Sequence, residues 1–440
     1  MTNDLCTVPA ARLAQLIRDR DISSAEAVDA HLRRIEAVNP RLNAVVQLGA
    51  DAARTAARAA DDAIARGDDL GPLHGVPFTV KDWIEAEDLI CAAGFEERRG
   101  YVPKRDATAV ARMRAAGAVL LGKTSVNDGS PVYARPNNPH DLARTPGASS
   151  SGEAAIVAAG GSPLGIASDS GGSIRWPAHC CGVAALRPTA GLVPNTGHFP
   201  RIGNMSDPRT AIGPVARSVE DLALALRIIA GPDNRDAGVV PMPLGDMAQV
   251  AVEGLRVAYY TRMPGASPTP ETVATTEAAA RALASADSLV TEARPPRLEE
   301  SLPITLDYWS RPSSISWQRW VPSHDARLSG DDVERHLFEW ERFRRYMALF
   351  MEDYDVIVCP VAAEPAPPHG PVPTENWLYT LPYSLTGQPV AVVRCGTSDE
   401  GLPIGVQVVA APWRDHVALA AAAVLERALG GWRPALLEDA

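Results

Sequence analysis

The chain of 440 residues has only six cysteines, Cys6, Cys91, Cys180, Cys181, Cys359 and Cys395, and no Cys-x-x-Cys pair among them. That spacing argues against a zinc site and against a disulfide framework. The six read as reduced thiols, with Cys180 and Cys181 as small buried hydrophobes rather than nucleophiles. The nine histidines form no His-Glu-x-x-His or other ligand cluster, so neither a metal nor a cofactor is expected. No run has the uninterrupted apolar length of a membrane span, and repeats are absent. The N-terminus, Met-Thr-Asn-Asp-Leu-Cys-Thr, lacks the basic start and apolar stretch of an export signal, so the cytoplasm is the expected location. A net charge of −11 argues against a nucleic-acid surface. What remains is 46% hydrophobic and 22% charged, a composition able to bury the large core of a soluble enzyme.

Within that composition, the stretch 168–177, Ser-Asp-Ser-Gly-Gly-Ser-Ile-Arg-Trp-Pro, carries the most chemistry. Gly171 and Gly172 let the backbone turn so that several N–H groups face one concavity, a ready oxyanion site, and Ser173 follows directly. A serine hydroxyl is a weak nucleophile at neutral pH and needs a base. No histidine is evident in that role. Lys81 closes the apolar run 75–80, Gly-Val-Pro-Phe-Thr-Val. A lysine at the end of a buried strand loses hydration, its pKa falls, and its neutral amine can accept a proton. A serine-rich turn at 147–152, Gly-Ala-Ser-Ser-Ser-Gly, supplies an intermediate hydroxyl. Taken singly, each segment has an ordinary explanation as turn, cap or solvated lysine; together and in order they read as a Ser-Ser-Lys relay.

These blocks resemble the amidase signature family. The similarity extends to 181–191, Cys-Gly-Val-Ala-Ala-Leu-Arg-Pro-Thr-Ala-Gly, to Leu385-Thr386-Gly387-Gln388-Pro389 and to 401–407, so it spans practically the whole chain. The resemblance implies Lys81 as base, Ser149 as a bridging serine held by a cis peptide bond, and Ser173 as nucleophile. It implies an oxyanion hole on the N–H groups of Ser170, Gly171, Gly172 and Ser173. At the bridge this chain has Ala148 and Ser151 where the family commonly has glycines. Anchoring on Pro146 and Gly152 favours Ser149, with Ser150 as the alternative and otherwise a support of the loop. Asp82 should point away from Lys81, whose pKa a neighbouring carboxylate would raise. Asp169 and Arg175 are expected to pair with each other or with backbone and so brace the nest.

Ser23 and Glu26 have capping-box spacing, and Val28, Leu32, Ile35 and Val38 share the face of a helix that Asn39-Pro40 should end. Strands are predicted over 76–80, 118–121, 257–260, 356–358, 390–394 and 404–409. Helices are predicted over 107–116, 153–160, 219–230, 271–284, 331–351 and 415–428. This alternation predicts an α/β protein, one large domain over 1–440. The resemblance sharpens that to a mixed central sheet covered by helices on both sides.

Substrate choice is assigned to a variable, irregular segment at 300–350, which holds Tyr308, Trp309, Trp317, Trp320 and Trp340. Aromatics there can wall an apolar pocket or pack the segment against the sheet. Trp377, Tyr379 and Tyr383 are read as facing the entrance, with Trp176 behind the nucleophile loop. Arg311, Arg319 and Arg327 are dispersed, which favours a neutral substrate. The sequence therefore predicts a hydrolase of C–N bonds in neutral, hydrophobic or aryl amides or carbamates (urethanes), with esterase side activity. It would act on a small molecule, as a monomer or homodimer, without nucleic acid or membrane. The alternative is the glutamine-hydrolysing component of a tRNA-dependent amidotransferase.

Overall fold

Ser23 Oγ accepts the Glu26 N–H while the Glu26 carboxylate takes the Ser23 N–H, closing a capping box on the helix Ser24–Leu42. This helix runs through Pro40 rather than ending at it, and stops at Asn43 in the left-handed conformation. A proline this near the end forfeits a single intrahelical bond. The Asn39 side chain compensates by bonding both the N–H and the carbonyl of Val45. The computed structural model describes residues 5–126, 130–200, 209–310 and 327–435.

The strands among the described residues are β1 (Val45–Leu48), β2 (Pro77–Lys81), β3 (Val119–Thr124), β4 (Leu164–Asp169), β5 (Ala184–Arg187), β6 (Ala211–Ala216), β7 (Arg256–Tyr259), β8 (Leu289–Glu292), β9 (Val356–Pro360), β10 (Val390–Thr397) and β11 (Pro403–Ala410). They form one sheet in the order β1-β3-β2-β4-β6-β5-β10-β11-β9-β7-β8. The sheet is mixed. β2 runs parallel to both neighbours, β3 and β4, and β7 runs parallel to β8 and β9, while the centre of the sheet is antiparallel. Both faces of its inner strands are buried, as a sheet covered by helices on both sides requires. On β3, Leu120 joins one hydrophobic cluster while Val119 and Leu121 join the cluster on the opposite face. The protein is thus a single α/β domain built on an eleven-stranded mixed sheet flanked by helices.

Two features of this frame position the site. Thr79 and Val80 of β2 pair with Gly165 and Ile166 of β4, which brings the C-terminal ends of these two strands side by side, Lys81 on one and Asp169 on the other. The helix Ser151–Ala158, buried along its whole length, starts from the serine turn and packs across β2 and β4. Open α/β sheets commonly place their sites at such carboxyl ends. The segment expected to be irregular, 300–350, is largely helical where described: helices Ser301–Trp309 and Gly330–Asp353 flank residues 311–326. The second is the helix predicted over 331–351, begun by a capping box between Ser329 and Asp332; the first, Ser301–Trp309, was not predicted.

Candidate active site

Side chains alternate across a strand, so Thr79 and Lys81 share a face of β2. Lys81 meets the serine turn at Ser149, and Thr79 meets the helix behind it at Glu153. Lys81 is completely buried, with its Nζ 2.7 Å from Ser149 Oγ, 3.1 Å from Ser168 Oγ and 3.3 Å from the Ser168 carbonyl oxygen. The Trp83 indole lies under it, 4.3 Å from Nζ to the ring centre. Burial pushes the Lys81 ammonium well below the ordinary lysine value, against the opposing pull of Asp169 and Glu153. Ser149, not Ser150, reaches the amine; Ser150 Oγ donates to the Ser168 carbonyl and ties the turn to β4. The Ala148–Ser149 peptide is not the expected cis bond, since the cis peptide among the described residues is Phe199–Pro200. With its trans bond Ser149 already places its hydroxyl on Lys81.

Asp82 points away from Lys81. It accepts from the Ala93 N–H at 2.6 Å and the Tyr133 hydroxyl at 2.6 Å, and faces Lys123 Nζ at 3.7 Å. A second buried carboxylate, Glu153, carries no signal in the sequence beyond its place in a helix. It accepts from the Thr79 hydroxyl and, at 2.8 Å, from Thr124, and burial raises its carboxyl to about 7 against those bonds and the nearby lysines.

The nest after β4 is braced from below. Asp169 accepts from the N–H groups of Gly172 at 2.7 Å, Ile174 at 3.1 Å and Arg175 at 3.3 Å. Arg175 grips the same carboxylate in a fork, Nε to Oδ2 at 2.9 Å and Nη2 to Oδ1 at 3.0 Å. Its remaining hydrogens go to the Thr380 carbonyl, Gln407 Oε1 and Ser384 Oγ, so one guanidinium ties the nest to the C-terminal part of the sheet. Burial works to raise the Asp169 carboxyl, but Arg175, these hydrogen bonds and Arg187 outweigh it and hold the group well below the usual carboxylate range. Because the Gly172 N–H is committed to Asp169, it does not belong with the expected oxyanion donors. The N–H groups of Ser170, Gly171 and Ser173 are left without a partner among the described residues. Gly172 has φ +129°, and a Cβ there would meet Thr380 Oγ1 at 2.5 Å, so only glycine fits. The Ser173 hydroxyl makes no hydrogen bond among the described residues, to Ser149 or to any other group. Catalytic hydrogen bonds are commonly long before substrate binds.

Of the expected pocket residues that are described, Trp309 is placed at the nest and Tyr383 is not. A Cβ on Gly171 would lie 3.3 Å from Trp309 Cζ2, and the indole is 49% exposed. Tyr383 is not at an entrance: it is fully buried and its hydroxyl pairs with that of Tyr260 at 2.8 Å, the partner a buried phenol needs. Tyr379 is likewise buried and donates to the Thr261 carbonyl, and Trp340 donates to the Leu385 carbonyl from the core. Trp176, behind the nucleophile loop, packs on Trp377 with ring centres 4.6 Å apart. Trp317 and Trp320 lie outside the described residues. Arg209 is a residue that sequence reasoning misses altogether: its buried guanidinium stacks on Tyr308 at 3.7 Å and reaches the Trp309 ring at 5.7 Å. An isolated arginine in a stretch without periodicity gives no sequence signal of this kind.

Among the described residues no group of three or more histidines, cysteines, aspartates or glutamates is gathered as a metal site, and no helix is long and apolar enough to cross a membrane. A sequence model of the family described as Amidase matches residues 26–342 and 307–419. The chain is 32% identical to an acylamidase of Rhodococcus erythropolis, over 95% of this chain and 94% of that one. It is equally similar, at 32%, to the A component of the glutamyl-tRNA(Gln) amidotransferase of Salinispora arenicola, over 99% and 100% of the two chains. Among solved structures, a 6-aminohexanoate cyclic dimer hydrolase in complex with its substrate superposes with a TM-score of 0.84 at 28% identity, covering 99% of this chain and 100% of that one.

Proposed function

The chain belongs to the amidase family and is an amidase-signature hydrolase, and from that premise we propose that it hydrolyses neutral amides with a hydrophobic or aryl group, unaided by partner proteins. The observation that carries the chemistry is a fully buried lysine with its amine on the Ser149 hydroxyl, beside a nest that ends in Ser173. The neutral Lys81 amine takes the Ser149 proton as Ser149 takes that of Ser173. Ser173 Oγ then bonds to the substrate carbonyl carbon. The oxyanion is held by the Ser170, Gly171 and Ser173 N–H groups, donors fixed before the reaction starts. As the C–N bond breaks, the proton returns through Ser149 to the leaving nitrogen. Water then attacks the acyl-Ser173 ester, giving its proton to the same relay. Anilides, carbamates and esters present the same carbonyl to this machinery.

Trp309 beside Gly171 supports the preference for an apolar group. The equal similarity to an amidotransferase component favours a second reading, glutamine hydrolysis for a partner. The purified chain, assayed alone on aryl amides, aryl carbamates and glutamine, separates the two. Turnover of aryl amides is expected, with Trp309→Ala raising KM for them several-fold and sparing a small aliphatic amide. Activity on glutamine alone, or only with added partners, would sink the stand-alone reading.

A further inference from the structure

His198 sits on the far side of Ser168 from Lys81 and belongs to none of the groups assigned above. Its Nε2 lies 2.8 Å from Ser168 Oγ and its Nδ1 3.1 Å from the Pro200 carbonyl oxygen. It is 2% exposed and held in place: its N–H donates to the Asn195 carbonyl, its backbone bridges to Ile84, and the Trp83 ring meets the imidazole edge-on at 5.8 Å. The same indole lies under the Lys81 amine.

With the His198 ring neutral, the direction of every hydrogen bond from Pro200 to Ser149 follows from the two carbonyls in the chain. A carbonyl oxygen can only accept, so His198 Nδ1 carries the hydrogen and, in the neutral ring, Nε2 must accept. The Ser168 hydroxyl therefore donates to His198 and has only lone pairs to offer Lys81 at 3.1 Å. The Ser168 carbonyl, at 3.3 Å from the amine, likewise only accepts. Both hydrogens of a neutral Lys81 amine are thus directed at Ser168, and its one lone pair is left facing Ser149 Oγ. When the amine takes up a proton, the new N–H lies on Ser149 and nothing else has to turn. Without His198 the Ser168 hydroxyl is free to rotate and donate to Lys81, occupying the lone pair that the relay needs.

We infer that His198 is a positioning residue for the Lys81–Ser149 relay, acting through the Ser168 hydroxyl. The inference rests on the relay proposed above, and Lys81→Ala is measured beside it so that the two can fail separately. The assay is hydrolysis of p-nitroacetanilide by the full chain, with kcat and KM determined for each variant and folding followed by thermal unfolding. His198→Ala and Ser168→Ala should each lower kcat by about 10- to 100-fold, the range that misplacing a reacting group produces, with KM little changed. The double variant should lose no more than either single one, because both remove the same link. His198→Gln, whose Oε1 can accept from Ser168, should recover most of the lost kcat. Should His198→Ala not fold, Ser168→Ala and His198→Gln carry the test. Wild-type kcat in His198→Ala or in Ser168→Ala, losses that multiply in the double variant, or no recovery with His198→Gln overturns the inference while a dead Lys81→Ala leaves the relay standing. An active Lys81→Ala overturns both.

Discussion

Replacing Lys81 by alanine is expected to lower kcat on an aryl amide on the order of 10²- to 10⁴-fold, the usual contribution of a positioned general base. Lys81→Arg should be equally poor. Arginine keeps the positive charge and hydrogen-bond donors, but it stays protonated and has no lone pair to offer Ser149. The comparison therefore separates a base from a merely structural cation. The pH dependence carries the same sign. The neutral amine is the active form, so the rate should rise with pH as Lys81 loses its proton and then level off. Since burial pushes Lys81 well below its ordinary value, that rise should be complete well below about 10.4, where an unperturbed lysine titrates. A substantially active Lys81→Arg enzyme, or a rise centred near the unperturbed value, would contradict the role given to Lys81.

The second large effect falls on stability. Asp169 and Arg175 are both wholly buried and bonded through a fork, and the same carboxylate orders three backbone N–H groups of the nest. Removing one partner of such a pair strands a buried charge, at a cost of about 3–5 kcal/mol. Asp169→Asn and Arg175→Met should each lose stability on this scale in denaturant unfolding. Arg175→Lys should fare little better, because an ammonium cannot reach Asp169, Thr380, Gln407 and Ser384 together. The folded-state pKa of Asp169 is depressed, so its stabilisation is present above the unfolded aspartate value of about 3.9 and fades only as pH falls through the folded value. The gap between wild type and Asp169→Asn should accordingly stay constant from neutral pH down to mildly acidic pH. A loss under about 1 kcal/mol for both variants would show that the nest is braced by other contacts.

The alternation of helices and strands was legible because most elements carry their own punctuation. The capping box at Ser23 and the apolar runs that become β2, β3, β9, β10 and β11 all declare themselves. β4 did not, although it carries Ser168 and Asp169: Leu-Gly-Ile-Ala-Ser-Asp is too poor in large side chains to signal a strand, and its glycine exists to admit the Glu153 carboxylate. Strands β1, β5 and β8 are short, and β6 is interrupted by glycine and proline. The ordered motifs around Lys81, Ser149 and Ser173 pointed to a common site because family resemblance and strand-end chemistry agree on them. Ser168, Glu153, His198 and Arg209 come to the site only through the pairing of β2 with β4 and the packing around it, and no local pattern distinguishes them from ordinary polar residues. Tyr383 shows the converse error, a motif-adjacent aromatic whose hydroxyl is satisfied in the core.

The central claim, that Ser173 is acylated through the buried lysine relay, is tested most directly by trapping the acyl-enzyme. The purified protein is mixed with an activated aryl ester or aryl carbamate, quenched during turnover, digested and analysed by mass spectrometry. One acyl group on the peptide containing Ser173, absent from Ser173→Ala and slow to form in Lys81→Ala, is the predicted result. Acylation on Ser149, Ser150 or a cysteine, or undiminished turnover by Ser173→Ala, would contradict it.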